Sequence, residues 1–235
     1  FSFFQNIYFT GGYIGVDIFF VISGYLIASI ILKEQLLKNS FSFLDFYQRR
    51  IRRILPALVF VSLTTIPFAL IFILPKDFIS YSNSLFFSSL FGSNIYFSLS
   101  YLAYEAENSM SWPLLHTWSL SVEEQFYIFF PLSLILFLKY LKRYLFYLII
   151  FFLIFSLILA SWASVNYSLF NFYLLPTRGW ELLTGVLLAY LEKFNPNLKK
   201  IRFKKFLPKI GIFLIFFSFY FFNEKTLHPS LITVM

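Results

Sequence analysis

Apolar residues gather along this chain into blocks of about twenty, separated by short polar stretches, at residues 13–32, 55–74, 82–102, 120–138, 144–163, 172–191 and 206–222. A helix rising 1.5 Å per residue needs about twenty residues to cross a hydrocarbon core, so each block has the length of a span. The apolar runs are continuous rather than alternating. Backbone groups in lipid must be paired internally, and continuous runs select helices over a barrel. The expected fold is all-α, a polytopic transmembrane helical bundle of six to seven hydrophobic segments. One block differs from the rest: residues 82–102 include Ser82, Asn83, Ser84, Ser88, Ser89, Gly92, Ser93 and Asn94. Such polarity is unsuited to lipid contact, and the block is expected to be a buried, re-entrant or partial span lining a cavity.

Composition agrees with this pattern. Of 235 residues, 59% are hydrophobic and only 13% are charged, whereas about 25% are charged in soluble domains. The net charge of +8 is concentrated between the blocks. Lys33, Lys38, Arg49, Arg50, Arg52 and Arg53 stand in the first connection, Lys139, Lys142 and Arg143 in another, and a basic run from Lys199 to Lys205 in a third. Basic loops face the cytoplasm, so the charge reports topology and no nucleic-acid partner is expected. The first helix then runs inward, the second returns outward near Pro75, and the stretch before residue 118 lies on the outer face. The absence of cysteine removes thiolate chemistry and disulfides. The two histidines, His116 and His228, lack the spacing of metal ligands, and no metal is expected. The chain opens at Phe1 without a signal peptide and shows no internal repeat. It reads as an internal fragment of a longer protein, one membrane-embedded domain over residues 1–235.

Four polar constellations interrupt the apolar background. In "GGYIGVDIFFVISGYLI", Asp17 falls within the first span and is followed by Ser23 and Gly24. An intramembrane acid is a functional candidate. Alternatively, Gly15 and Gly24 let neighbouring helices approach while Asp17 satisfies a donor on one of them. In "FYQRRIRRILPAL", Arg49 and Arg52 are three apart, as are Arg50 and Arg53, so each pair neighbours on a helix. The cluster reads either as a topological anchor or as a phosphate clamp, since planar guanidinium groups bind phosphoryl oxygens bidentately.

The third constellation, "HTWSLSVEEQFYIFFPL", sets His116, Glu123 and Glu124 before an apolar run. A charge at the bilayer centre costs about 2.5–3.5 kcal/mol on insertion scales, which favours a position near the outer mouth of the helix. Glu123 and Tyr127 share a face at i, i+4, and Glu124 points elsewhere. Ser119 or Ser121 could cap the helix, with one carboxylate favoured in the first turn by the dipole. In the fourth, "YLLPTRGWELLTG", Arg178 and Glu181 are three apart. They form either an ion pair that eases insertion or a polar wall of the same cavity.

Taken in order over residues 11–189, these blocks resemble the bacterial acyltransferase-3 family, and within it the O-antigen and peptidoglycan O-acetylase branch. The resemblance implies a multi-pass enzyme of the bacterial inner membrane, with about ten helices in the whole domain. Such an enzyme moves an acyl group, usually acetyl, from a cytoplasmic donor such as acetyl-CoA to a hydroxyl of an extracytoplasmic carbohydrate. Acyl-CoA, the glycan acceptor and the lipid bilayer are then the partners, with no bound cofactor. Some members continue into a C-terminal SGNH-type domain, which these residues do not contain.

Carried over by position, the family's R-x-x-R motif falls on Arg49–Arg52 and Arg50–Arg53, implying donor binding. Its acidic position falls on Glu123, with Glu124 beside it, and its G-V-D block on Gly15, Asp17, Phe19, Phe20, Ser23 and Gly24. Glu123, Glu124, Asp17 and His116 are the catalytic candidates, and Ser23, Tyr127, Arg178 and Glu181 the polar cavity residues. The family's catalytic histidine belongs to a helix before the loop at which this chain begins. His116 lies in a different block and does not take its place. Acyl transfer needs a base for the hydroxyl proton and donors for the oxyanion, so this chain alone is expected to be inactive. A transporter or flippase, or a catalytically silent scaffold, would also suit polar residues within a membrane. The donor motif and acidic block in family order favour the enzyme.

Overall fold

The computed structural model describes residues 14–38, 40–103, 112–195, 207–221 and 228–230. Among the described residues there are nine α-helices and no strand. They are α1 (Ile14–Lys38), α2 (Phe43–Phe72), α3 (Pro75–Ser89), α4 (Ser93–Ala103), α5 (Thr117–Tyr140), α6 (Leu145–Asn166), α7 (Ser168–Tyr173), α8 (Leu175–Phe194) and α9 (Leu207–Phe221). A 3-10 turn, Lys142–Tyr144, leads into α6.

Four of these helices are long and apolar enough to cross a membrane: α1, α2, α5, and α6 with its 3-10 turn. Their outer faces carry large exposed apolar side chains, among them Phe60, Leu63, Ile71 and Phe72 on α2 and Phe151, Phe155 and Ile158 on α6. Contiguous apolar surface of this kind marks contact with lipid. The protein is an all-α, multi-pass membrane protein.

The described residues fall into two compact units. One lies within residues 1–37, 136–172 and 176–235, the other within 38–135 and 173–175.

In the second unit, α2 begins well before the apolar block that announced it. Ser42 caps it by accepting from the Asp45 N–H at 3.3 Å, so the arginine cluster lies on its first turns. Its far end packs Ala69 with Tyr81 and Leu114, and the Thr65 and Tyr81 hydroxyls meet at 3.0 Å.

The block at 82–102, expected to be a buried, re-entrant or partial span, forms two short helices whose Ser84, Ser88, Ser93 and Asn94 are buried. The N–H of Gly92 bonds back to the Phe87 carbonyl at 2.8 Å and that of Phe91 to Ser88 at 3.2 Å, closing α3 with Phe91 at φ 53°. This is a Schellman ending, in which one left-handed residue terminates the helix. The polar residues that suggested a cavity wall are used in a contact with α5. Ser88 meets Thr117 at 2.8 Å, Ser93 meets Ser121 at 2.8 Å, and Asn94 exchanges amide hydrogen bonds with Gln125 at 2.8 and 3.2 Å. Thr117, Ser121 and Gln125 recur every four residues, so one face of α5 is a polar zipper of the kind that joins helices in lipid. Neither expected serine cap forms: α5 starts at Thr117, Ser121 is inside the zipper, and Ser119 donates back to the His116 carbonyl at 3.2 Å. No acid lies in the first turn of α5.

Candidate functional site

Each unit assembles one polar cluster. In the first unit, α1 and α8 cross at a pair of glycines. A Cβ on Gly24 would overlap the Leu182 carbonyl, and one on Gly185 the Val21 carbonyl, so only glycine permits this approach. No atom lies within 4 Å of a Cβ placed on Gly15, which therefore is not a close-approach position among the described residues.

The crossing delivers Asp17 to Arg178. Arg178 is fully buried; its Nη1 donates to Asp17 Oδ1 at 2.7 Å and to Glu181 Oε1 at 2.8 Å. Its Nε donates to the Phe172 carbonyl at 3.0 Å, and the Phe172 ring lies 4.8 Å from the guanidinium carbon. His228 Nε2 is 3.0 Å from Nη1 and 3.3 Å from Asp17 Oδ1. Nη1 carries two protons and faces three atoms, so the two histidine contacts are alternatives. The Nδ1–H tautomer accepts from the arginine, and the Nε2–H tautomer donates to Asp17. Burial pushes the His228 imidazole below its ordinary range; the hydrogen bond to Asp17 opposes this and the Arg178 charge reinforces it. The ring is therefore neutral at pH 7.

Neighbouring backbone is held around this hub. The Ser156 hydroxyl on α6 donates to the Pro176 carbonyl at 2.6 Å and accepts from the Trp180 N–H at 2.9 Å. It thereby inserts into the hydrogen-bond ladder of α8 beside Gly179. Asn171 Nδ2 donates to the Pro229 carbonyl at 2.8 Å, tying the segment that carries His228 to the end of α7. Ser23 is buried on α1 beside the crossing glycine.

The cluster in the second unit forms where α2 meets α5. Pro131 has no N–H, which leaves the Tyr127 carbonyl without its helical donor. The Tyr47 hydroxyl lies 3.3 Å from that carbonyl and 3.1 Å from the Ile128 carbonyl, and can donate to either. With Tyr47 anchored there, Arg50 comes to lie over the Tyr127 ring at 4.7 Å, one helical turn further on. Arg50 is half-buried, whereas Arg49, Arg52 and Arg53 are exposed.

Glu124 lies within electrostatic reach of both Arg50 and Tyr47, and its Oε1 is buried with no hydrogen-bond partner among the described residues. Glu123 is also buried, at 3% exposure. This corrects one expectation. Glu124 does not point away from the Tyr127 region, since Arg50, which lies over the Tyr127 ring, is within its electrostatic reach. Tyr127 is ten residues into α5, roughly 15 Å along it. The Arg50 side chain reaches that level because its stem can lie against apolar surface and its charge against an aromatic face.

His116 is exposed on the turn before α5, and its ring makes no hydrogen bond among the described residues. His228, Tyr47 and Gly185 were not recognisable as site residues from spacing. The one signal available for Tyr47 was Pro131, whose missing N–H requires a donor from elsewhere. Nothing in the sequence joined His228 to Asp17.

Apolar helices long enough to cross a membrane, one of them opening on an arginine-rich turn, define a polytopic membrane protein. The chain belongs to the acyltransferase-3 family: the family profile, described as an acyltransferase domain, matches residues 1–235. It is 35% identical over 190 residues to the peptidoglycan O-acetyltransferase OatA of Listeria monocytogenes, covering 79% of this chain and 30% of that protein. It is 37% identical over 187 residues to an uncharacterized protein of Haemophilus influenzae, covering 77% and 76%. With the O-acetyltransferase OatA of Staphylococcus aureus the identity is 38% over 123 residues, covering 52% of this chain and 20% of that protein. The chain thus spans less than a third of the two O-acetyltransferases. No solved structure gives a significant match.

Proposed function

We propose that this protein takes part in moving an acyl group, acetyl first among them, from a cytoplasmic acyl-CoA to a hydroxyl of a cell-surface glycan, working in the bacterial cytoplasmic membrane. The observation that carries the reading is the family match over every residue of the chain. The peptidoglycan O-acetyltransferase among its relatives makes peptidoglycan the first acceptor to test. The geometry supports a division of labour. Arg49, Arg52 and Arg53, exposed on the first turns of α2, suit the phosphates of a coenzyme A thioester. Glu123, buried on α5, and Glu124, half-buried with its Oε1 enclosed, can orient a base or take a hydroxyl hydrogen bond. Asp17, Arg178, Glu181 and His228 hold α1 and α8 in place.

Membranes from cells expressing the complete gene should transfer label from acetyl-CoA to glycan as a base-labile ester. Arg50→Ala and Arg53→Ala should reduce transfer at unchanged membrane insertion. Label that crosses the membrane without being esterified to any glycan would sink the reading and favour transport.

A further inference from the structure

We infer that the hub of Asp17, Arg178, Glu181 and His228 is a proton-binding site: its two carboxyl groups hold a single proton at neutral pH, carried by Glu181, while Asp17 stays ionised. This role goes beyond holding α1 against α8, and it stands whether or not the chain takes part in acyl transfer.

Charge balance requires the proton. Asp17 and Glu181 bring two acids to the single cation of Arg178, and the His228 ring is neutral. With both acids ionised, the hub would carry one uncompensated negative charge among the described residues. Arg178 and Glu181 are fully buried, and a buried charge without compensation is removed by a proton. The charges that act on Glu181 are those of Arg178 and Asp17. Around them α6 and α7 contribute Ser156, Asn171 and Phe172, none of which titrates.

Hydrogen bonding decides which acid keeps the proton. The two shortest contacts of Arg178 Nη1, to Asp17 Oδ1 at 2.7 Å and Glu181 Oε1 at 2.8 Å, use both of its protons. His228 then presents Nε2–H to Asp17 Oδ1, 3.3 Å away. Asp17 thus has two donors, and its side chain is 13% exposed. Glu181 has one donor, on Oε1, and its Oε2 is enclosed with no hydrogen-bond partner among the described residues. A bare anionic oxygen costs more in that place than a neutral hydroxyl. The proton therefore sits on Glu181 Oε2, and Oε1 accepts from the arginine.

Occupancy of the site depends on Asp17. Once Asp17 is neutral, Glu181 is the one acid left to balance Arg178 and gives its proton up to solvent; once Asp17 is ionised again, Glu181 takes a proton back. Asp17, the partly exposed member of the pair, is where an outside group can act on the enclosed one. Acids and histidines grouped within a membrane protein in this way serve proton handling.

The test is the infrared carbonyl stretch of a protonated carboxyl group, measured at neutral pH on the protein from its complete gene in an alkyl maltoside, a detergent with no carbonyl of its own. Wild type should show a band that Glu181→Gln loses. Asp17→Asn, with Glu181 intact, should lose the same band, because Glu181 then ionises against Arg178. Isotope labelling of the glutamate carboxyl carbon should shift the wild-type band, which assigns it to a glutamate even if Glu181→Gln does not fold. Wild-type and Glu181→Gln spectra that coincide in this region overturn the site. A Glu181 band that persists in Asp17→Asn overturns it as well, since the proton would not follow the charge balance. A band lost in Asp17→Asn and unmoved by glutamate labelling puts the proton on Asp17 and sinks the assignment.

Discussion

Arg178 and Asp17, 161 positions apart in the chain, meet at 2.7 Å in the interior of one unit. Glu181 shares the same guanidinium nitrogen at 2.8 Å, so removing the cation strands two carboxylates at once. Arg178→Leu is expected to destabilise the protein by about 3–5 kcal/mol, the penalty for breaking a buried pair from one side. Asp17→Asn should be milder, since Glu181 still balances the arginine. Fluorescence-detected size exclusion after graded heating in detergent measures both. A wild-type midpoint for Arg178→Leu would show that the hub carries no such weight.

The glycine crossing predicts a position-specific pattern. Gly24→Ala and Gly185→Ala each place a methyl group into a facing carbonyl, and each should cost about 1–3 kcal/mol by overpacking. The double variant should cost less than the sum, because the first substitution already separates α1 from α8. Gly15→Ala, with open space around it, should be neutral or slightly stabilising. Equal effects at all three positions would argue against the crossing.

His228 gives a pH signature. Its folded pKa is depressed by burial, so between the folded and unfolded values the unfolded chain binds the extra proton. Its stabilising contribution is complete above the unfolded value of about 6.5 and is lost as pH falls from there through the folded value. The unfolding midpoint should therefore drop between pH 7.5 and pH 5, and more steeply in the wild type than in His228→Gln. Parallel curves would place the ring in water.

The Tyr47 hydroxyl and Pro131 should be coupled. Tyr47→Phe removes the donor from the Tyr127 and Ile128 carbonyls and should cost about 1 kcal/mol or more. Pro131→Ala restores a helical N–H to Tyr127, so the same Tyr47→Phe change should cost measurably less in that background. A double-mutant cycle on unfolding midpoints decides this; strict additivity would mean that the hydroxyl does not serve the proline break.

Much of the fold was legible as local pattern. Continuous apolar blocks marked α1, α2, α5 and α6, and these are the helices long and apolar enough to span a membrane. The three-residue spacing of the arginines placed them on one helix, as α2 bears out. The block at 82–102 was expected to be buried, and Ser84, Ser88, Ser93 and Asn94 are; that they face α5 was not legible, because a helix's composition does not say what it faces. Glu123 and Glu124 show the same limit. Adjacent residues differ by about 100° around a helix, so knowing which acid meets Arg50 requires knowing where α2 packs.

The sequence by itself determined the membrane character, the helical fold and the family, because length, hydropathy and ordered motifs are properties of neighbouring residues. The pair of Arg178 with Glu181 was legible at a spacing of three; only the tertiary structure decided which distant charges meet, Arg178 with Asp17 and His228, and Arg50 on the face of α5 that carries Tyr127. The physical reason lies in the interior's low dielectric. There a charge is tolerable only with its partners in place, and those partners are chosen by helix crossings such as Gly24 against Leu182, which no local period encodes.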